Sequence, residues 1–192
     1  MRQTYTASLT LVLVLVAPLA HGQVKGRLPA AIRPAWTKGI QPISRESYWN
    51  AMECGKQPGA RPACVFWDAE LCANDEFTLA FYTPYKQVAY TVWQAVSRKQ
   101  PAPTPSYAEA GRMRVIIGLR PRRGAQNPVT GLTITRGKTT IQPASRSLDD
   151  GAGTFYFDFA PFAPTAAIGL SMAGKTKTVT CVIDRGTLAQ MR

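Results

Sequence analysis

Histidine is almost absent from the chain, which has 192 residues and one histidine, His21. Histidine is the most frequent general base in enzymes, the usual partner of serine and cysteine nucleophiles, and the most frequent metal ligand. His21 lies in a segment that we expect to be removed on export. Without it, Ser-His-Asp and Cys-His catalysis and histidine-based zinc or copper sites are excluded, while carboxylate or lysine chemistry is still available.

Acidic residues and long hydrophobic runs are also scarce. The chain has 23 Lys and Arg against 11 Asp and Glu, a formal net charge of +12. Such a balance favours anionic partners and carries no information about the fold. The most apolar stretch, residues 7–17, is shorter than the roughly 20 residues that a membrane-spanning helix needs. The sequence also has no Gly-rich phosphate loop, nucleophile elbow or metalloprotease helix.

Residues 1–22 have the layout of a signal peptide. A short n-region with one basic residue runs into the apolar stretch, which Pro18 ends, and Ala20 and Gly22 supply the small residues of a cleavage site. We predict cleavage before Gln23, with an uncleaved N-terminal anchor as the alternative. Cleavage leaves 22 basic and 11 acidic residues, a net charge of about +11, in a periplasmic or extracellular product.

Four cysteines accompany this export signal: Cys54, Cys64, Cys72 and Cys181. An even number of cysteines in an oxidising compartment indicates disulfides. Glycines and prolines between the first two let the chain turn back, so we predict the pairs Cys54–Cys64 and Cys72–Cys181. In the chain-entropy model the second pair would stabilise the fold by about 4 kcal/mol. A four-cysteine zinc site is the alternative, disfavoured because no CxxC pair is present.

Length and composition predict one domain preceded by an arm. Residues 23–43 are rich in proline and positive charge and contain no acid, so we expect an extended, partly disordered basic arm. The remaining residues, 44–192, suffice for one domain with its own hydrophobic core.

Two helices are predicted within this domain. Ser44 is a typical N-cap of a short helix, and Gly55 is the expected stop signal after its end. Thr83 and Pro84 are a typical N-cap and first helical residue, and they predict a helix that runs to Lys99. Its apolar residues fall on one side, so we expect this amphipathic helix to pack on a sheet.

The rest of the domain is predicted to be β-structure. Short stretches of strand character are Cys64–Trp67, Glu76–Tyr82, Arg112–Arg120, Leu132–Thr135, Lys138–Ile141, Thr154–Phe159, Ala167–Met172 and Thr176–Ile183. Tight turns are expected at Arg136-Gly137, Asp149-Asp150-Gly151 and Ala173-Gly174. Regularly spaced short strands with such turns predict a mainly β domain of the antiparallel β-sandwich type.

Basic residues are concentrated between residues 112 and 146, where no acid occurs. Alternation along Arg112–Arg120 turns apolar side chains to one face and mostly arginines to the other. Guanidinium groups bind phosphate and carboxylate through two parallel hydrogen bonds. The candidate polyanion-binding residues are therefore Arg112, Arg114, Arg120, Arg122, Arg123, Arg136 and Lys138. The alternative is a solvated outer face that keeps sheet edges from pairing wrongly.

Four of the acids lie within nine residues: Asp68, Glu70, Asp75 and Glu76. Clustered carboxylates suit calcium, although the spacing does not match an EF-hand and lacks its glycine. A polar connection neutralised by nearby arginines is the favoured interpretation, and no metal or cofactor is expected.

The sequence thus predicts an exported, non-enzymatic binding or interaction module for anionic envelope polymers, such as polysaccharides, or for lipid headgroups. A purely structural envelope domain is the alternative. A carboxylate-dependent hydrolase that uses the clustered acids comes third. Nucleic acid is not an expected partner outside the cytoplasm.

Overall fold

A computed structural model of the protein describes residues 38–57, 62–68, 70–103 and 106–192, together with the backbone of residues 24–26. The predicted signal peptide and most of the predicted basic arm lie outside the described residues. Within the described ranges, no helix combines the length and apolar character needed to cross a membrane.

The described residues are mainly β, as predicted. The strands are β1 (Val24–Gly26), β2 (Phe77–Tyr82), β3 (Val115–Pro121), β4 (Val129–Arg136), β5 (Thr139–Ile141), β6 (Ser145–Asp149), β7 (Ala152–Phe157), β8 (Ile168–Gly174) and β9 (Thr178–Ile183). The helices are α1 (Arg45–Lys56), α2 (Pro84–Ser97), α3 (Tyr107–Ala110) and α4 (Arg185–Gln190), with a 3-10 turn at Ala160–Phe162.

The strands form two sheets that face each other. One sheet has the order β1-β9-β8-β4-β5 and the other has the order β2-β3-β7-β6. Neighbouring strands are antiparallel except for β1, which runs parallel to β9. Inner-face side chains of both sheets share one core, which includes Phe81, Ile117, Phe155, Ile134, Leu170 and Ile183. This shared core gives the predicted sandwich-like arrangement.

A second core lies between α1 and α2. Ser44 caps α1 and Thr83 caps α2, each through a side-chain oxygen that accepts a backbone N–H, as predicted. The buried side of α2, which includes Val88 and Val92, packs chiefly on α1, and the main contact of α2 with the sheets is with β2. The helix was predicted to pack on the sheet, but it packs mainly on α1 and only to a small extent on β2.

Gly55 lies inside α1, which continues to Lys56, so the predicted stop after Cys54 is wrong. A Cβ at Gly55 would lie 2.4 Å from the carbonyl oxygen of Ala89 and 2.6 Å from the Cβ of Val92. The glycine therefore permits close contact between two helix backbones, a role that local sequence does not distinguish from a helix stop.

Both predicted disulfides are present. Cys54 is bonded to Cys64 and Cys72 to Cys181, with Cα–Cα distances of 6.2 and 5.6 Å. The first bond joins the last part of α1 to the segment that begins at residue 62, and the second joins the segment before β2 to strand β9 of the opposite sheet. All four cysteines are consumed, so the zinc alternative is wrong.

Two predicted strands need correction. Cys64–Trp67 is a turn and not a strand, because the N–H groups of Val65 and Phe66 both bond the carbonyl of Pro62. Strand β3 begins at Val115 and not at Arg112, because the N–H groups of Arg112 and Met113 bond to carbonyls of the short helix α3, which Ser106 and Glu109 start with a capping box.

Strand β6 was not predicted, because all five of its residues are exposed and no apolar alternation marks it. It pairs with β7 through a tight turn at Asp150 and Gly151, both of which have positive φ. The β4–β5 turn is Gly137-Lys138, one residue later than predicted, because Arg136 pairs with Thr139.

Parts of the predicted arm belong to the fold. Residues Val24–Gly26 extend the five-stranded sheet by pairing with β9. Further along, Ile40 is buried in the sandwich core and Ile43 in the helical core. The arm is therefore anchored at the points that the structure describes.

The α1–α2 contact gives a stability prediction. Replacing Gly55 with alanine should lower the free energy of unfolding by about 1–3 kcal/mol, the usual cost of overpacking, despite the helix propensity of alanine. Gly111→Ala is the matched control, since the atom closest to its added Cβ lies 3.5 Å away. Urea denaturation measures both variants, and equal stabilities would contradict the close helix contact.

Candidate functional site

An open groove of about 840 Å³ crosses the outer face of the four-stranded sheet. Small-molecule and cofactor sites have volumes of roughly 300–1,000 Å³. Side chains that alternate with buried ones along the strands line it, together with one residue of α2. The lining includes Thr78, Ala80, Tyr82, Tyr90, Ile116, Gly118, Arg120, Ser147, Asp149, Asp150 and Thr154.

Small residues form the floor of the groove. Ala80, Gly118, Thr154 and Ser147 are neighbours in register on β2, β3, β7 and β6. None is larger than threonine, so together they form a shallow channel perpendicular to the strands. Four strands at the usual spacing make this channel about 14 Å long.

Two tyrosines stand on one side of this channel. Tyr82 of β2 and Tyr90 of α2 meet edge to face, with ring centroids 5.7 Å apart. Burial raises the pKa of Tyr82, with smaller contributions from Tyr90 and Asp68, so its phenol stays protonated at neutral pH. This side therefore offers aromatic surface and a hydroxyl donor.

Charged residues stand on the other side. Arg120 of β3 is exposed, and its guanidinium has no hydrogen bond or ion pair with any described residue. Thr78 lies opposite Arg120 on β2, and Asp149 lies on β6 opposite Ala152. Arg120 and Asp149 are two strand spacings apart, about 10 Å, so both can contact one extended ligand.

The other predicted arginines do not form a continuous face with Arg120. Arg112 and Arg114 precede β3, and Arg120 lies six residues after Arg114, about 20 Å along an extended chain. The Nε atom of Arg114 lies 3.4 Å from a carboxylate oxygen of Asp158 at that end. Ile116 and Gly118 separate the two groups of arginines on the outer face.

The side chain of Arg136 supports a loop of the fold. Its guanidinium donates to the carbonyl oxygens of Ala160 and Ala163, at 2.8 and 3.0 Å, and to the hydroxyl of Thr165. It thereby braces the loop between β7 and β8, at the same end of the sandwich as Arg114. Lys138 is exposed in the adjacent β4–β5 turn.

Asn127 joins two turns at the opposite end of the sandwich. Its buried side chain donates to the carbonyl of Lys177 and to Glu76, and it accepts from the backbone N–H of Thr176. These bonds hold the β3–β4 loop against the β8–β9 turn. A hydrogen bond from Lys177, with a smaller contribution from Asn127, lowers the pKa of the Glu76 carboxyl.

We call this set of hydrogen bonds the Asn127 clamp. Basic residues from distant parts of the sequence lie at the same end of the sandwich as the clamp. We define the basic end of the sandwich as Arg120, Arg122, Arg123, Lys175 and Lys177. Three of these residues were predicted to bind polyanions. The two lysines were missed, because they reach this end of the sandwich through long-range contacts of the β8–β9 turn with Asn127, Pro128 and Glu76.

The four clustered acids are dispersed in the structure. Asp68 points inward to Lys86, Glu76 binds Lys177, and Glu70 and Asp75 are exposed. No group of three or more side chains suitable for a metal ion exists among the residues that the structure describes. The acids therefore do not assemble the calcium site considered from the sequence.

Asp68 and Lys86 form a buried pair. Each side chain is 3% exposed, and Lys86 Nζ contacts one carboxylate oxygen of Asp68 while the Phe81 N–H donates to the other. The ring centres of Trp67 and Tyr82 lie 5.2 and 4.9 Å from Nζ. Desolvation raises the pKa of Asp68 and lowers that of Lys86, against their mutual attraction.

The Asn127 clamp gives a second prediction. Asn127→Ala removes the hydrogen bonds that a buried side chain makes to Lys177, Glu76 and Thr176, so the free energy of unfolding should fall by about 1–3 kcal/mol. Gln126→Ala, at the exposed neighbouring position, is the control and should change stability little. If chemical denaturation gives the same result for both variants, the two turns are not held together by Asn127.

Comparison with protein-family models, with curated proteins and with solved structures finds no match in any of the three. The groove, the basic end and the buried pair are therefore interpreted from their own geometry and chemistry.

Proposed function

We propose that the protein is an exported, non-enzymatic module that binds a segment of an anionic polysaccharide in the groove. One observation carries the proposal: a channel with a floor of small residues lies between two tyrosines and Arg120, whose guanidinium has no hydrogen bond or ion pair within the described part of the chain. The two disulfides are consistent with a protein that works in an oxidising compartment.

The chemistry of the groove matches a sugar that bears carboxylates. Tyrosine rings provide flat apolar surface for the C–H faces of sugar rings, and their hydroxyls can bond sugar hydroxyls. Thr78, Thr154 and Ser147 add donors and acceptors, and Asp149 accepts from sugar hydroxyls. Arg120 is the group that would bind a uronate carboxylate with two parallel hydrogen bonds.

The basic end supports the same ligand class. Its cations adjoin the Arg120 side of the groove and would attract a polyanion before it binds there. Added salt screens this long-range attraction. Lys177 is partly neutralised by Glu76, and Asp149 and Asp150 limit how much negative charge the groove accepts. A polymer that alternates charged and neutral sugars fits this arrangement better than a densely charged one.

Lipid headgroups, the other partner class considered from the sequence, fit the geometry less well. A flat bilayer surface contacts protruding residues, whereas the floor of the groove lies below Tyr82 and Tyr90. A narrow chain can reach this floor and still contact Arg120. The polysaccharide is therefore the partner that we favour.

Arg120→Gln tests the charged contact. One charge-assisted hydrogen-bonded pair contributes roughly 1.5–3 kcal/mol, so affinity for polygalacturonate should fall about tenfold or more, as measured by calorimetry. Arg112→Gln removes the same charge outside the groove and should have little effect. Equal losses in both variants would show that net charge, and not the groove, determines binding, and would overturn the proposal.

Gly118→Leu tests the floor without changing the charge. An added Cβ would face the open groove, with the ring of Tyr82 3.6 Å away, so the leucine should fit the fold but fill the channel. Binding of polygalacturonate should be lost while the denaturation midpoint is kept. Thr133→Leu, on the outer face of the other sheet, is the control. Unimpaired binding by Gly118→Leu would place the ligand elsewhere.

A further inference from the structure

The buried Asp68–Lys86 pair has no part in the proposed groove. Asp68 lies in the turn before β2, and Lys86 lies in the first turn of α2. Between them in the chain runs β2, whose Phe81 N–H faces the same carboxyl group. An amine and a carboxyl are thus held in contact at a place where each side chain is almost fully shielded from solvent.

We propose that Lys86 and Asp68 condense after folding into an isopeptide bond, an amide between Nζ and the side-chain carbonyl carbon Cγ. The bond would cross-link the start of α2 to the segment before β2. This proposal is independent of the polysaccharide proposal.

Confinement is the first argument for this reaction. Two groups held in contact react as if at very high concentration, because their freedom to separate has already been lost on folding. Both side chains are 3% exposed, so bulk water has little access to reverse the reaction by hydrolysis. The rings of Trp67 and Tyr82 attract the ammonium form, which helps to assemble the pair as the chain folds.

The protonation states are the second argument. Amide formation needs a neutral amine as nucleophile and a carboxylic acid, rather than a carboxylate, as electrophile. Desolvation shifts both groups towards these neutral forms by raising the pKa of Asp68 and lowering that of Lys86. The neutral pair carries the same number of protons as the ion pair, so a single proton transfer within the contact interconverts them.

The bond changes balance without any other reactant. The lone pair of Nζ attacks Cγ, and the carbonyl electrons move onto Oδ2, where the Phe81 N–H stabilises the developing charge. The Cγ–Oδ1 bond then breaks. Oδ1 leaves as water with the carboxyl proton and one hydrogen from Nζ, and the second Nζ hydrogen stays on the amide.

Proton transfer in this step is direct. Nζ already contacts Oδ1, the atom that leaves, so no relay through another side chain is required. Among the described residues, no third carboxylate bonds to this pair. We therefore expect each chain to form the bond once and slowly. In a sample of folded protein, the cross-linked fraction should rise with time until every chain is linked.

Intact-mass spectrometry of the denatured, disulfide-reduced protein tests the proposal. After several days of incubation in the folded state, the mass should be lower than the sequence mass by one water molecule. The N-terminus is read in the same experiment, so that processing is accounted for. Proteolysis should give one branched peptide that contains both Asp68 and Lys86. A mass equal to the sequence mass would overturn the proposal.

Two variants make the assignment specific. Lys86→Arg keeps the positive charge but cannot form the amide, so it should show its full sequence mass. Asp68→Asn should lose ammonia in place of water and reach the same final mass as the cross-linked wild type. Asp150-Gly151 can also lose water by forming a cyclic imide. A water loss that persists in Lys86→Arg would therefore lie elsewhere and would refute the cross-link.

Discussion

The packing of two inner sheet faces into one apolar core determines most of this molecule. Because side chains alternate along a strand, burial of Leu79, Ile117 and Phe155 forces their neighbours outward. Those neighbours include Ala80, Gly118 and Thr154, and the strand register aligns them with Ser147 across the sheet. The channel is thus the outer counterpart of the core. A slip of one residue in the register of β2 or β3 would destroy both.

The two long helices, α1 and α2, form a hydrophobic core of their own beside the sandwich. Their core is small, and it depends on the backbone contact that Gly55 allows and on the Cys54–Cys64 bond beside it. Through Lys86, however, α2 also reaches the chain that leads into β2. The Asp68–Lys86 contact is therefore one of the points, together with the hydrogen bonds from Gln87 to the carbonyls of Tyr82 and Arg114, at which polar contacts join the helical pair to the sandwich.

Local signals were sufficient for much of the fold. Caps at Ser44 and Thr83, apolar alternation in β2 and β3, and the even number of cysteines predicted helices, sheets and disulfides correctly. Long-range contacts explain what was missed. Strand β6 has no buried face to impose alternation, and Asn127 brings Lys177 to the basic end over 50 residues. Arg112, Arg114 and Arg120 share a stretch of sequence, but the first two precede β3 and Arg120 lies near its other end.

The bond between Cys72 and Cys181 has a further consequence for the durability of the chain. These residues are 109 positions apart, and strands β2 to β8 all lie between them. A single cut by a protease anywhere in this interval, for example in the exposed loop around Gly124, would leave one covalently connected molecule. Both fragments would keep their place in the shared core. A protein of this design can be nicked without being taken apart.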